Sequence, residues 1–129
     1  MRLTEFLLAR IAEDEAVAQE ATWQSEHYSV FSYLWAEDGR HVARHNPARV
    51  LAECEAKRRI VESYLAERSR RDIYQSAESR AVEDDGTDLM GQAQARRASA
   101  ARCRGLEIAV EALSLPYADH PDYDEEWKP

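Results

Sequence analysis

The sequence predicts a mainly α-helical fold, built on a long antiparallel αα-hairpin with an N-terminal helix and a short aromatic segment that is β-like or irregular. The chain has only four glycines and four prolines, too few for the many tight turns of a β fold. Apolar residues instead recur at helical spacing through three long stretches. Charged residues make up 33% of the chain, which is typical of helical bundles and hairpins. From the length of 129 residues we expect a single domain over 1–129.

The first predicted helix covers residues 4–21, where Leu7 and Ile11 recur at helical spacing. We expect Thr4 to cap this helix at its N-terminus. Residues 22–46 are richer in aromatic and β-branched side chains, so we predict an irregular or strand-like segment there. Aromatic residues of this segment and of the C-terminal tail are expected to supply core area. They are Trp23, Tyr28, Phe31, Tyr33, Trp35, Tyr117, Tyr123 and Trp127.

The first arm of the hairpin is predicted over residues 47–82. Asn46 and Pro47 favour a helix start there, because asparagine caps well and proline fits the first helical position. Gly86 is expected to end this arm and Thr87 to cap the next one. A seam with the spacing of a and d positions in a heptad runs along the arm. Its members are Val50, Leu51, Cys54, Lys57, Val61, Tyr64, Leu65 and Arg68.

The second arm is predicted over residues 88–115, and Pro116 is expected to stop it. The alanine and serine content of residues 93–101 suggests that another helix approaches closely. The core side of this arm is predicted to consist of Leu89, Ala93, Ala100, Cys103, Leu106, Val110 and Leu113. The remaining residues, 116–129, are predicted to form a short acidic tail.

The charge balance of the chain is acidic. Seventeen lysines and arginines stand against twenty-five aspartates and glutamates, for a net charge of −8, which argues against nucleic-acid and membrane-surface binding. No stretch of the sequence is apolar enough for a membrane span or a signal peptide, so we expect a cytoplasmic protein. Cys54 and Cys103 are too few for a disulfide scaffold, and we expect two free thiols in the core.

Two segments resemble a known family. The first begins HVARHNPARVLAE at residues 41–53, and the second is LPYADHPDY at residues 115–123. With the acidic residues 13–15 of the first helix, they resemble an uncharacterised family of small proteins from actinobacteria and their phages. The resemblance implies no activity and no catalytic or binding residue, so functional candidates rest on the residues of this chain alone.

The histidines are the first candidate site. His41 and His45 are four residues apart, a spacing that places both on one face of a helical turn and that zinc ligands often use. His120 in the tail is a further candidate. A zinc site needs three or four convergent ligands, and the sequence compels no third one. We therefore expect capping and surface roles, with no metal and no cofactor; the alternative is a small metal- or phosphate-ligand-dependent enzyme or binder centred on these histidines.

Arginines form the second candidate site. If the hairpin folds about Gly86, residues at equal distances before and after it lie level, so Arg70 faces Arg102. Seven arginines then share one zone: Arg68, Arg70, Arg71, Arg96, Arg97, Arg102 and Arg104. An exposed arginine band of this kind suits an acidic or phosphate-bearing partner. The alternative is a solvated helix surface with intrahelical ion pairs, such as Glu67 with Arg71.

The function that these features favour is a non-catalytic helical module that binds another protein or a second copy of itself. The sequence contains no nucleophile set, phosphate loop or dinucleotide-binding glycine motif, so no enzyme class has positive support.

Overall fold

The computed structural model describes residues 2–22, 40–41, 43–83 and 89–129. Over these residues the fold consists of helices, and the prediction of a mainly helical protein is confirmed. The elements are α1 (Leu3–Thr22), α2 (Pro47–Glu83), α3 (Leu89–Ser114) and two short 3-10 turns, Leu115–Tyr117 and Glu125–Trp127. None of the three described helices is long and apolar enough to cross a lipid bilayer.

Several sequence predictions concern residues outside the described ranges. The strand-like aromatic segment belongs largely to residues 23–39, and the turn at Gly86 and its cap at Thr87 belong to residues 84–88, so these predictions lie outside the described residues. The end of the 22–46 segment is described in part. There the backbone N–H of His45 donates to the carbonyl of His41 at 3.0 Å. This hydrogen bond closes one turn of helix just before α2.

The start of α1 differs from the predicted cap at Thr4. The helix begins at Leu3, one residue earlier, and Thr4 is buried in its first turn. The carboxylate of Glu5 accepts a hydrogen bond from the backbone N–H of Arg2 at 3.0 Å. Glu5 therefore reaches back to the residue before the helix, as the acid of a capping box does, and Thr4 is left free to pack inward.

The start of α2 agrees with the sequence analysis. Asn46 accepts a hydrogen bond from the backbone N–H of Arg49 at 3.0 Å, and its amide donates to the carbonyl of Ala43, also at 3.0 Å. Pro47 is the first residue of the helix. An asparagine side chain thus satisfies one backbone donor that the first turn leaves without a partner.

The chain divides into two compact units, Met1–Arg58 and Arg59–Pro129, and the boundary falls within α2. The single domain over 1–129 stays a prediction. In the N-terminal unit the buried apolar residues are Phe6, Leu7, Ile11, Ala18 and Cys54. Around this core, Arg58 pairs with Glu15 and Lys57 lies 3.8 Å from Asp14. Burial raises the pKa of the Cys54 thiol.

The C-terminal unit contains the second half of α2 and the whole of α3. Glu78 pairs with Arg96, and Arg71 Nη1 lies 3.9 Å from Cys103 Sγ. Residues later in α2 therefore meet residues earlier in α3, which is the antiparallel order of the predicted hairpin. The buried apolar residues of this unit are Val61, Tyr64, Cys103 and Val110. Both cysteines of the chain are free and buried.

The acidic tail ends the C-terminal unit in two 3-10 turns. Asp124 caps the second turn, since its carboxylate accepts from the backbone N–H of Glu126 at 3.0 Å. The rings of Tyr123 and Trp127 meet edge to face with centroids 5.7 Å apart. These two residues and Tyr117 are half-buried, so the tail aromatics contribute apolar contact, while the aromatic residues of 23–35 lie outside the described part of the chain.

Candidate functional site

The histidine pair is exposed. His41 and His45 stack with ring centroids 4.6 Å apart and planes tilted by 40°, and both lie on the surface. In the tail, Nδ1 of His120 accepts a hydrogen bond from the backbone N–H of Asp122 at 3.1 Å, so that nitrogen already has a donor. Within the described residues, no three His, Cys, Asp or Glu side chains are grouped as metal ligands.

A shallow groove of about 260 Å³ lies beside His45 in the N-terminal unit. It is lined by Asp14, Val17, Ala18, Ala21, His45, Pro47 and Val50. Its walls are mainly apolar, with one carboxylate and one imidazole as the ionisable groups. The carboxylate of Asp14 is within 3.8 Å of Lys57, so part of its charge is already compensated.

The arginine band is largely paired within the C-terminal unit. Arg70, Arg97, Arg102 and Arg104 are exposed, and Arg68, Arg71 and Arg96 are half-buried. Five of the seven form ion pairs with acids of the same unit: Arg70 and Arg102 with Glu67, Arg71 with Asp72, Arg96 with Glu78, and Arg104 with Glu107. Glu67 therefore forms its ion pairs with Arg70 and the cross-helix Arg102, and not with the intrahelical Arg71 that the sequence suggested.

Glu67 is the centre of this charge network. Its side chain is only 6% exposed, and its Oε1 accepts from Ser99 Oγ at 2.7 Å and from Arg102 Nε at 3.0 Å. Arg70 Nη1 donates to the other carboxylate oxygen at 3.2 Å. The hydrogen bond from Ser99 contributes most to lowering the pKa of Glu67, and the two arginines add to it, although burial acts in the opposite direction. A satisfied buried carboxylate of this kind ties α2 to α3.

The solvent-facing side of α3 is unusually apolar. A heptad pattern runs along it, and all eight of its positions are exposed: Gly91, Ala98, Gly105 and Ala112 at intervals of seven, with Gln94, Ala101, Ile108 and Leu115 three residues after each. We call these eight residues the α3 face; the last of them, Leu115, is the first residue of the 3-10 turn that follows the helix. Ile108 is 50% exposed and Leu115 is 45% exposed. A heptad of apolar and small residues is the pattern by which one helix packs along another.

The α3 face is distinct from the side of the helix that packs in the hairpin. Ser99, Cys103 and Val110 are buried, and each lies about a third of a turn or more away from the face. On the solvated side of a surface helix, charged and polar residues are the usual occupants. Here the charged residues stand at the flanks, with Arg97 and Arg104 along one edge and Arg102 along the other.

Gly105, in the middle of this face, has no packing role in the unit. A β-carbon built on it would meet nothing within 4 Å. Glycine in a helix interior is less favourable than alanine by about 0.8–1.0 kcal/mol. Its presence therefore lowers the stability of α3, and no contact within the unit requires a residue that small.

Sequence reasoning located the arginines and the hairpin but missed Glu67 with Ser99 and the α3 face. The heptad spacing of Gly91, Ala98, Gly105 and Ala112 was a readable signal, and the alanine content of 93–101 already indicated close helix approach. The sequence analysis placed Cys103 and Val110 on the core side of this arm, and both are buried. It did not single out the exposed heptad on the other side as a second apolar surface.

The chain belongs to a family of unknown function, DUF6221, whose model matches residues 1–129. The expectation of a family without a known function is confirmed over the whole chain. Neither a curated protein nor a solved structure matches the chain.

Proposed function

We propose that this protein is a non-catalytic helical interaction module that binds a protein partner through the α3 face. The observation that carries the proposal is the exposed heptad, in which two large apolar side chains and five glycines or alanines face solvent. Half-exposed Ile108 and Leu115 would lose water on contact with a partner helix, at about 25 cal/mol for each Å² of apolar surface removed. Small residues between them allow the two helix backbones to approach closely.

The arginines have a supporting role in this proposal. Arg97 and Arg104 border the face, where they would meet acidic residues of a partner and contribute orientation and salt dependence. Five of the seven arginines are already paired with acids, and the chain carries a net charge of −8, so a protein is favoured over a nucleic acid as the partner. Arg68 and Arg71 belong to α2 and lie outside this border.

The cellular location and the biological origin of the protein are proposed from the sequence. We propose a cytoplasmic protein of an actinobacterium or of one of its phages, on the strength of the HVARHNPARVLAE and LPYADHPDY segments. A phage-encoded member would suit a host-directed binding role, although fold and family imply no function by themselves. The genomic neighbourhoods of other members of the family would test the origin.

Photo-crosslinking in cells of the source organism tests the proposed surface. A benzoylphenylalanine replaces Ala101 on the α3 face or, as a matched control, the exposed Gln75 on α2. We expect discrete cross-linked protein bands from the α3 position, lost when Ile108→Glu is added. Equal bands from both positions, or none from the α3 face, would refute an interaction surface there.

A further inference from the structure

We infer that the partner on the α3 face is a second copy of this chain, bound as an antiparallel helix pair whose two-fold axis crosses the face at the level of residue 103 along the helix. This inference rests on the proposed function, because it names the occupant of the same face. Two features of the described residues point to it: the order in which large and small side chains follow along the face, and the signs of the charges at its edges.

Size complementarity sets the register. Small residues occupy the N-terminal part of the face, and the large apolar side chains occupy the C-terminal part. When two copies run antiparallel about residue 103, Ile108 lies opposite the partner's Ala98, and Leu115 lies opposite the partner's Gly91. Gly105 then meets the partner's Ala101. Each of the two large apolar side chains thus faces an alanine or a glycine of the partner. Every such contact occurs twice because the pair is symmetric.

Charge complementarity favours the same arrangement. In an antiparallel pair the edge that carries Arg97 faces the same edge of the partner. Arg97 is level with the partner's residue 109, so the partner's Glu111 lies about 3 Å further along the helix axis at a rise of 1.5 Å per residue. Two symmetric ion pairs result. Arg102 and Arg104 lie near the axis, where each faces its own copy in the partner. Their ion pairs with Glu67 and Glu107 offset that repulsion.

The parallel arrangement is disfavoured by the same residues. It would bring Ile108 against the partner's Ile108 and small residues against small residues, so the helices would touch at one end and separate at the other. The contacts between the edges would also differ. In a parallel pair the edge with Arg97 faces the edge with Arg102 of the partner, and each residue meets the one five positions further along. Arg97 would then meet the partner's Arg102, and the two ion pairs between Arg97 and Glu111 would not form.

Sedimentation velocity of the purified full-length chain over a range of concentrations tests for the dimer. We expect a concentration-dependent monomer–dimer equilibrium. Ile108→Glu and Ala101→Glu should each weaken it tenfold or more, about 1.4 kcal/mol, while Ile73→Glu on α2, at a side chain 65% exposed, leaves it unchanged. A chain that stays monomeric, or a dimer that neither α3 variant weakens, would overturn the inference.

A charge exchange tests the ion pairs. Arg97→Glu and Glu111→Arg should each weaken the dimer, and the double variant should restore most of the affinity, because the attraction is re-formed with opposite signs. Circular dichroism of each variant at low concentration separates dimer loss from unfolding. Additive weakening in the double variant would contradict the antiparallel register.

Cysteine pairs test the direction. A mixture of Ala98→Cys and Ile108→Cys chains should form a disulfide-linked heterodimer under mild oxidation, with the wild-type chain and its two buried thiols as the baseline. Ala98→Cys alone should not cross-link, since its two copies would be ten residues apart, about 15 Å along the axis, and a disulfide needs Cα atoms within about 4.4–6.8 Å. Efficient cross-linking of Ala98→Cys with itself would mean a parallel pair.

Failure of this inference is distinguishable from failure of the proposed function. If the purified chain is monomeric but the photo-crosslinker at Ala101 captures a different protein in cells, the α3 face binds a heterologous partner and only the second copy is wrong. If the chain is monomeric and the α3 face captures nothing, both proposals fail.

Discussion

Replacing Gly105 by alanine is the sharpest test of the view that α3 keeps a glycine for binding and not for folding. The residue is exposed in the middle of the helix, and an added methyl group would meet nothing within 4 Å. The change therefore brings no clash and no new packing contact. The remaining effect is on conformational entropy. The unfolded chain has fewer backbone conformations with alanine than with glycine, so folding loses less entropy.

The expected gain is about 0.8–1.0 kcal/mol in the free energy of unfolding. For a chain of this size, that corresponds to a Tm about 3–5 °C higher. Thermal and urea denaturation followed by circular dichroism at low protein concentration measure the monomer. Ala98→Gly is the matched control on the same face and should lower stability by a similar amount.

The same position separates folding from association. Gly105→Leu should also be at least as stable as the wild type, since leucine is a good helix former, but its bulk would force the partner's Ala101 away and weaken the dimer tenfold or more. Gly105→Ala adds one methyl group at the same contact and should weaken the dimer too, though less than Gly105→Leu. An alanine variant that is less stable than the wild type would refute the reasoning, because it would require a close contact at Gly105 within the unit.

Three further predictions concern the polar groups. Glu67→Gln should lower the Tm by several degrees at pH 7. Because the folded-state pKa of Glu67 is lowered from 4.5, its stabilisation is present above about pH 4.5 and decreases as pH falls through the folded-state pKa, so the Tm difference between variant and wild type should shrink in melts at acidic pH. Arg70→Glu combined with Arg102→Glu should destabilise the fold in denaturant titrations, since both arginines pair with Glu67; unchanged stability would contradict the role of that carboxylate. Untagged protein should bind no stoichiometric zinc in calorimetry, and His41→Ala or His45→Ala should change nothing; a zinc site lost on either change would restore the metal hypothesis.

Local chemistry allowed much of the fold to be predicted from the sequence. The Asn46-Pro47 pair determines where α2 begins, because an amide cap and a fixed proline φ act within one turn. Proline at 116 cannot continue a helix, and α3 ends at Ser114. Long runs without glycine or proline, with apolar residues at helical spacing, predict helices of the length observed.

Tertiary structure decided which polar side chains are structural. Glu67 is one of several glutamates on α2, and only the approach of α3 gives it Ser99 and Arg102 as donors and buries it. The approach of the two helices also pairs Arg102 with Glu67 and Arg96 with Glu78. The other paired arginines of the band find their acids within their own helix, as the alternative interpretation of the sequence had it.

The amino-acid sequence by itself determined the helices, their approximate ends, the antiparallel order of the hairpin and the family, because these depend on residues that are neighbours along the chain. Only the tertiary structure decided that a second, largely apolar side of α3, away from the predicted core side, is exposed to solvent. The same heptad pattern of small and apolar residues is found in helices that pack inside a protein and in helices that pack against a partner. Burial of Ser99, Cys103 and Val110 on one side leaves the other heptad in water, and the cost of exposing apolar surface is the physical reason to expect a partner there.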